Sequence, residues 1–279
     1  MTDGGSGYTA APAVTISGGT ATATANLTAI NLASDSSIGG SGDLAISAVI
    51  SGSYGLTKVG AGKVTLAGLN NYTGPTNVSG GILEASLSGS IGGTTQVNVD
   101  AGTLLLGASN VINNTAPVKL GGGTFKTGGF SEGNATTAGL GALTLSATSQ
   151  LDFGMGTGSQ LWFAGVGTHP AGTLSILNWS GTAGQTGGAS DDRLMFAGNE
   201  AARQAFEGLY GQNTISFDGV SGYSAIQFDD SHFEIVPIPE PSSTALLGAA
   251  GLLAMIACRE RRRLGMGRAK RVTSPETQS

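Results

Sequence analysis

Apolar and polar residues alternate with a period of two through most of the chain, and the alternation itself repeats. Laid over one another at a spacing of 21 residues, "TNVSGGILE" (76–84), "VNVDAGTLL" (97–105) and "VKLGGGTFK" (118–126) bring Val78, Val99 and Leu120 together. Gly81, Gly102 and Gly123 coincide next, then Leu83, Leu104 and Phe125. One step earlier, "TKVGAGKVT" (57–65) fits the same template at a spacing of 19. Alternation such as Val97, Asn98, Val99 places the valines on one face and the asparagine on the other, as a half-buried strand requires. The glycines between strands permit a sharp corner with positive φ. One unit cannot hide its apolar face, but stacked copies bury a continuous core and pair their backbones with the coils above and below. The pattern predicts an all-β fold, a parallel β-helix (β-solenoid) body, with coils over 1–126.

After residue 127 the beat fades while strand-like runs continue: "GALTLSA", "SQLDFG", "SQLWFAG", "TLSILNW", "DRLMFAG", "NTISFDG" and "HFEIV". Residues 127–236 therefore read as irregular β coils and a cap. One helix interrupts them, over 200–210. Asn199 can cap it, Glu200 suits its first turn, Ala202, Phe206, Leu209 and Tyr210 form its apolar stripe, and Gly211 ends it.

The C-terminal pattern is of another kind. Pro237, Pro239 and Pro241 each lack an N–H and favour extended backbone, so the last strand stops there and 237–241 is a stiff linker. From Ser242 to Cys258 runs an apolar stretch of 17 residues, at the short end of the roughly 17 to 25 that span a hydrocarbon core. A buried helix of the body would show a polar face, and this stretch has none. Arg259, Arg261, Arg262 and Arg263 follow at once. The reading is one C-terminal transmembrane helix over 242–258, stopped by these arginines, with 259–279 a basic cytoplasmic tail and the body outside.

Composition sharpens this division. Up to Pro241 there are 6 Lys or Arg against 16 Asp or Glu, a net charge of −10, and from Ser242 onward 7 against 2, a net charge of +5. An acidic body argues against nucleic acid as a partner, and the basic cluster suits a membrane flank. The 48 glycines imply many tight turns, and the lone Cys258 excludes an intrachain disulfide.

Two stretches resemble known families. "GLTKVGAGKVTLAGLNNYTGPTNVSGGILEAS" (55–86) is similar to the autotransporter-associated β-strand repeat through Leu56, Thr57, Lys58, Gly60, Gly62, Thr65, Leu66, Asn71, Tyr72, Thr73, Gly74 and Gly81. That resemblance implies a passenger-like β-helix of a bacterial surface protein. The order Pro239-Glu240-Pro241, short apolar span, arginine cluster resembles the PEP-CTERM sorting signal of Gram-negative bacteria. It implies recognition by an exosortase, a membrane protease that cuts near the motif and delivers the body to the cell surface or extracellular matrix. Glu240 would then be a feature of a substrate. The N-terminal "MTDGGSGYTAAPAVTIS" has neither a basic nor an apolar export region, so an export signal is expected upstream of Met1.

Candidate chemistry is sparse. His169 and His232 are the only imidazoles, with Asp191 and Asp192 or Asp229 and Asp230 as conceivable triad or metal partners. No nucleophile elbow, zinc-binding helix or cysteine pair accompanies them. The aspartate pairs match neither an EF-hand loop nor a calcium-binding nonapeptide. Glu84, Leu105 and Lys126 occupy matching positions of three repeats, so no acidic cluster stacks there. Trp162, within "LWF", reads as core, whereas Trp179 could stack on a sugar ring. The expectation is a non-enzymatic surface or matrix protein without catalytic, cofactor or metal residues, with an extracellular polysaccharide as a candidate partner. The alternative is a secreted carbohydrate-binding or polysaccharide-degrading β-helix using Trp179, Asp191 and Asp192.

Overall fold

The computed structural model describes residues 23–24, 29–156, 158–169 and 171–239. The chain divides into two units, Met1–Ile238 and Pro239–Ser279. The body is a stack of coils whose strands pair in parallel. Along one face Ser36–Gly39, Leu56–Val59, Thr76–Ala85, Val97–Leu106, Val118–Leu120 and Leu140–Leu145 follow one another. Along a second run Leu44–Ile46, Lys63–Leu66, the later halves of the two ten-residue strands, Thr124–Lys126, Ser149–Asp152, Leu174–Leu177 and Ile215–Phe217. Shorter contacts, Ala29–Asn31 with Val49–Ser51 and the bridges Ile91 to Ile112 and Glu132 to Leu161, mark a third.

The period of two becomes columns of stacked side chains. Val64, Leu83, Leu104, Phe125, Leu151, Ile176 and Phe217 are successive register partners, and none is more than 4% exposed. Burying such a side chain contributes about 1.5–3 kcal/mol. The column therefore holds every coil to both of its neighbours. Val78, Val99 and Leu120 form a second column in the register read from the sequence.

Sharp corners make this stacking possible. Gly60, Gly81 and Gly102 have φ of 75°, 59° and 73°, and a Cβ on Gly81 would lie 2.5 Å from the carbonyl oxygens of Gly60 and Gly62. Only glycine fits there.

One expectation is corrected. The spacing of 19 holds where Lys63 pairs with Ile82, but on the first face Leu56 pairs with Thr76 and Lys58 with Val78, a step of 20. The corner Gly60–Gly62 absorbs the difference. The shift by one residue turns Lys58 inward, beneath Val78, where it is fully buried.

The parallel stack ends by reversing direction. Arg193–Ala197 continues it on Gln160–Val166 and then pairs antiparallel with His232–Pro237, which pairs antiparallel with Tyr223–Asp229. Helix α1, Glu200–Leu209, starts at Asn199, whose side chain accepts from the Ala201 and Ala202 N–H groups. It buries Phe206 against Phe196, Tyr210, Tyr223 and Phe233, with ring centroids 4.6 to 5.6 Å apart. Aromatic packing thus closes the open end of the core. Among the described residues no helix is long and apolar enough to cross a membrane. The segment 242–258 assigned to the membrane lies outside the described residues.

Candidate functional site

The last strand of the body leads directly into the linker, and its anchoring is specific. The Arg193 Nε and Nη2 groups donate to Glu234 Oε2 at 3.2 and 3.0 Å, and the Gly187 N–H donates to the same oxygen at 3.0 Å. The Arg193 guanidinium lies 4.2 Å from the Phe228 ring centroid and 5.6 Å from that of Trp162. Burial raises the Glu234 carboxyl above its ordinary range, against the opposing pull of Arg193. A pair removed from water in this way is costly to leave half-made. Pro237 closes the strand opposite Tyr223, and its carbonyl accepts from the Gly184 N–H at 2.9 Å. Having no N–H, it ends the ladder without an orphaned donor.

Of the residues expected to form the sorting motif, Pro239 is the one within the described region, two positions past the strand. Glu240 and Pro241 lie outside the described residues, as do Arg259, Arg261, Arg262, Arg263 and the rest of the basic tail.

Residues of the 55–86 repeat turn out to build corners. The Lys58 Nζ donates to the carbonyls of Val59, Gly60 and Gly80 at 2.9, 2.9 and 3.0 Å. Burial lowers its pKa, with Asp43 acting against the shift. The buried ammonium thus satisfies carbonyls on two successive glycine corners. Tyr72, also fully buried, places its hydroxyl 2.6 Å from Thr76 Oγ1, which lies 2.9 Å from Thr94 Oγ1. The Asn70 Oδ1 accepts from the Ile50 N–H at 2.7 Å and its amide donates to the Ser90 carbonyl at 2.6 Å. Lys58, Asn70 and Thr76 each span consecutive coils, and Tyr72 braces Thr76 from within its own coil.

The imidazoles and aspartates are occupied locally. His232 Nδ1 is 3.0 Å from Asp229 Oδ1 and 3.1 Å from Ser231 Oγ. Both partners meet the same ring nitrogen, whereas a catalytic triad needs serine and carboxylate on opposite nitrogens. These three side chains brace the turn between the last two strands. His169 Nε2 lies 3.1 Å from the Gly172 carbonyl, and its ring lies 4.5 Å from that of Tyr210. The fully buried Asp192 accepts from the Ser159 N–H at 2.8 Å and from the Ser180 N–H and hydroxyl at 2.9 and 2.7 Å. It fixes the backbone beside Trp179 and turns no oxygen outward. Asp191 accepts from the Gly188 N–H at 2.7 Å. Trp179 is half-buried, edge-on to Phe217 at 5.5 Å, and Trp162 is 3% exposed. No group of three or more His, Cys, Asp or Glu side chains converges among the described residues.

Sequence reasoning missed the buried polar residues. Arg193 and Glu234 are 41 positions apart, and Glu132, which no sequence pattern singles out, is fully buried. The only local signal is a charged residue flanked by strand-forming apolar ones, as in "DRLMF" and "HFEIV".

Two family models match the chain: the passenger-associated-transport-repeat over residues 56–85 and the PEP-CTERM protein-sorting motif over residues 237–263. No curated protein and no solved structure matches it. The sorting motif indicates export to the cell envelope or surface and implies processing by an exosortase, a membrane protease.

Proposed function

For a chain that carries a passenger-associated repeat in its body and a PEP-CTERM sorting motif at its end, we propose the role of a non-enzymatic cell-surface or extracellular-matrix protein. Its β-solenoid body is displayed outside the cell, with extracellular polysaccharide as the partner class. The sorting tail is transient. The observation that carries this reading is the order of elements after the last strand: Ile238, then Pro239-Glu240-Pro241, then the apolar stretch 242–258, then Arg259 and Arg261 to Arg263.

Each element has a physical part in the proposed sorting step. Prolines at this spacing favour stiff, extended backbone and leave few backbone donors that could fold the segment away from a protease. The apolar stretch is just long enough to enter a bilayer, and the arginines hold its far end in the cytoplasmic interface. The motif is thereby kept at the outer interface, within reach of a membrane-embedded enzyme. In this reading Pro239, Glu240 and Pro241 are recognised, and the bond that breaks lies next to them.

Mass spectrometry of the cell-surface fraction tests the proposal, in a host that has an exosortase and with the chain fused to a working export signal. The mature protein should lack everything from near Pro241 onward, including Cys258. The double substitution Glu240→Ala/Pro241→Ala should leave an uncut, membrane-bound form with a folded body. A wild-type C-terminus still ending at Ser279 would overturn the processing step.

A further inference from the structure

Four acidic side chains are buried among the described residues: Glu132, Asp152, Asp192 and Glu234. Three have partners suited to a negative charge. Asp152 meets Lys126 at 2.6 Å, Glu234 meets Arg193 at 3.0 Å, and Asp192 accepts three hydrogen bonds. Glu132 is the exception. It is 0% exposed, its Oε1 accepts from the Val111 N–H at 2.8 Å, and its Oε2 has no hydrogen-bond partner among the described residues.

Its place in the stack gives this a consequence. The Glu132 N–H donates to the Gln160 carbonyl at 2.8 Å and its carbonyl accepts from the Trp162 N–H at 3.0 Å, while the side chain reaches back to Val111. One residue therefore ties the last short repeat coils to the enlarged coils that follow. Asn70 has the corresponding role deeper in the repeat: its Oδ1 reaches back 20 residues to the Ile50 N–H, as Glu132 reaches back 21 to Val111. Asn70 is neutral and uses its other end as a donor to Ser90. Glu132 has no such second partner among the described residues, and its other oxygen faces no cation that would favour the ionised form.

We propose that Glu132 is a proton-dependent joint: the neutral carboxylic acid closes the stack between the repeat coils and the terminal coils, and loss of its proton loosens that junction. A neutral carboxyl with an unpartnered oxygen forgoes a hydrogen bond, whereas an ionised one in the same place forgoes its whole hydration. No cation among the described residues compensates. The elements packed around it are the 109–112 segment, the Gln160–Val166 strand and the 133–138 turn, and none of them carries a titratable or charged residue. Burial pushes the carboxyl up to about 8, with the Val111 and Ile112 N–H groups pulling the other way and no charged neighbour contributing.

The sign follows. The folded value lies above the ordinary 4.5, so between the two the folded protein holds a proton that the unfolded chain has released. Stability from this group is complete below about 4.5, falls as pH rises towards about 8, and is flat beyond. The joint is tightest in acid surroundings.

Denaturant unfolding of the full chain and of Glu132→Gln, followed by tryptophan fluorescence at pH 5, 6, 7 and 8, tests this. Glutamine keeps the acceptor for Val111 and cannot ionise. The wild-type folding equilibrium should weaken by about tenfold per pH unit relative to the variant, and parallel pH profiles for the two proteins would overturn the proposal. If Glu132→Gln does not fold, the carbon-13 carboxyl titration of labelled glutamate in the wild type decides instead. A Glu132 midpoint near 8 supports the joint, and a midpoint below 5 overturns it.

Discussion

From Val64 to Phe125 the inner column advances by 19 or 21 residues per coil, whereas from Phe125 to Phe217 the steps are 26, 25 and 41. The first region solves one packing problem and copies the solution: an aliphatic residue above an aliphatic residue and a glycine at the corner. The second region must end the stack, so no coil in it has an identical neighbour above. Its insertions supply what a neighbour would have supplied. They provide an aromatic cluster over the core, antiparallel strands in place of a further parallel one, and the buried Arg193–Glu234 pair under Phe228. Repetition makes a fold from a small set of contacts, and termination requires contacts used once.

If that contrast is right, the largest effect comes from a charge in a shared column. Val99 is fully buried between Val78 and Leu120, so Val99→Asp puts a carboxylate between two apolar layers. It should destabilise the body by about 4 kcal/mol or more, seen as loss of the cooperative transition in urea followed by circular dichroism. Because each coil is held by its neighbours, the damage should spread along the repeat. A variant that keeps its transition with a small shift in midpoint would show that the column does not bind the coils together.

The next effect belongs to the cap. Arg193→Met leaves Glu234 buried without its cation and should cost about 3–5 kcal/mol, while the double variant Arg193→Met/Glu234→Leu should recover most of the loss. Hydrogen exchange locates the damage. Protection should fall in His232–Pro237 and stay intact in Val97–Leu106. Equal loss in both strands would mean that the two regions unfold as one body and that the distinction drawn between them is geometric only.

The repeat region was legible because its register is written in the chain: a period of two fixes the face, and the 21-residue beat fixes the partner. Val78, Val99 and Leu120 needed no structure to be aligned. Lys58 did, since a lysine in a strand reads as outward-facing, and the glycine corner hides the extra residue that turns it inward. The cap was readable where the signal is local, as in the Asn199 cap of helix α1. Its buried ion pair joins residues 41 apart, and no periodicity relates them. Glu132 was invisible for the same reason, because what makes it unusual, a buried oxygen with neither a cation nor a hydrogen bond among the described residues, exists only in three dimensions. The sorting motif is the opposite case. Residue order alone identifies it, whatever conformation it adopts.

The smallest effect is expected on the outer side of the same strand that carries Val99. Asn98 is half-buried and part of a polar ladder: its amide donates to Asn77 Oδ1 at 2.7 Å, its Oδ1 accepts from Gln96 at 2.8 Å, and Asn77 donates to Thr57 at 3.1 Å. Asn98→Asp keeps the acceptor for Gln96 but replaces the donor with a carboxylate oxygen facing Asn77 Oδ1. The cost should be about 1 kcal/mol, the size of one hydrogen bond exchanged with water at a partly exposed site. It should shrink in acid, below the ordinary aspartate value of about 3.9, because the protonated carboxyl can again donate to Asn77. Urea midpoints of Asn98→Asp and wild type at pH 3 and pH 7 measure both parts. A loss at pH 7 as large as that of Val99→Asp would mean that the two faces of this strand are assigned the wrong way round, and the inner column with them.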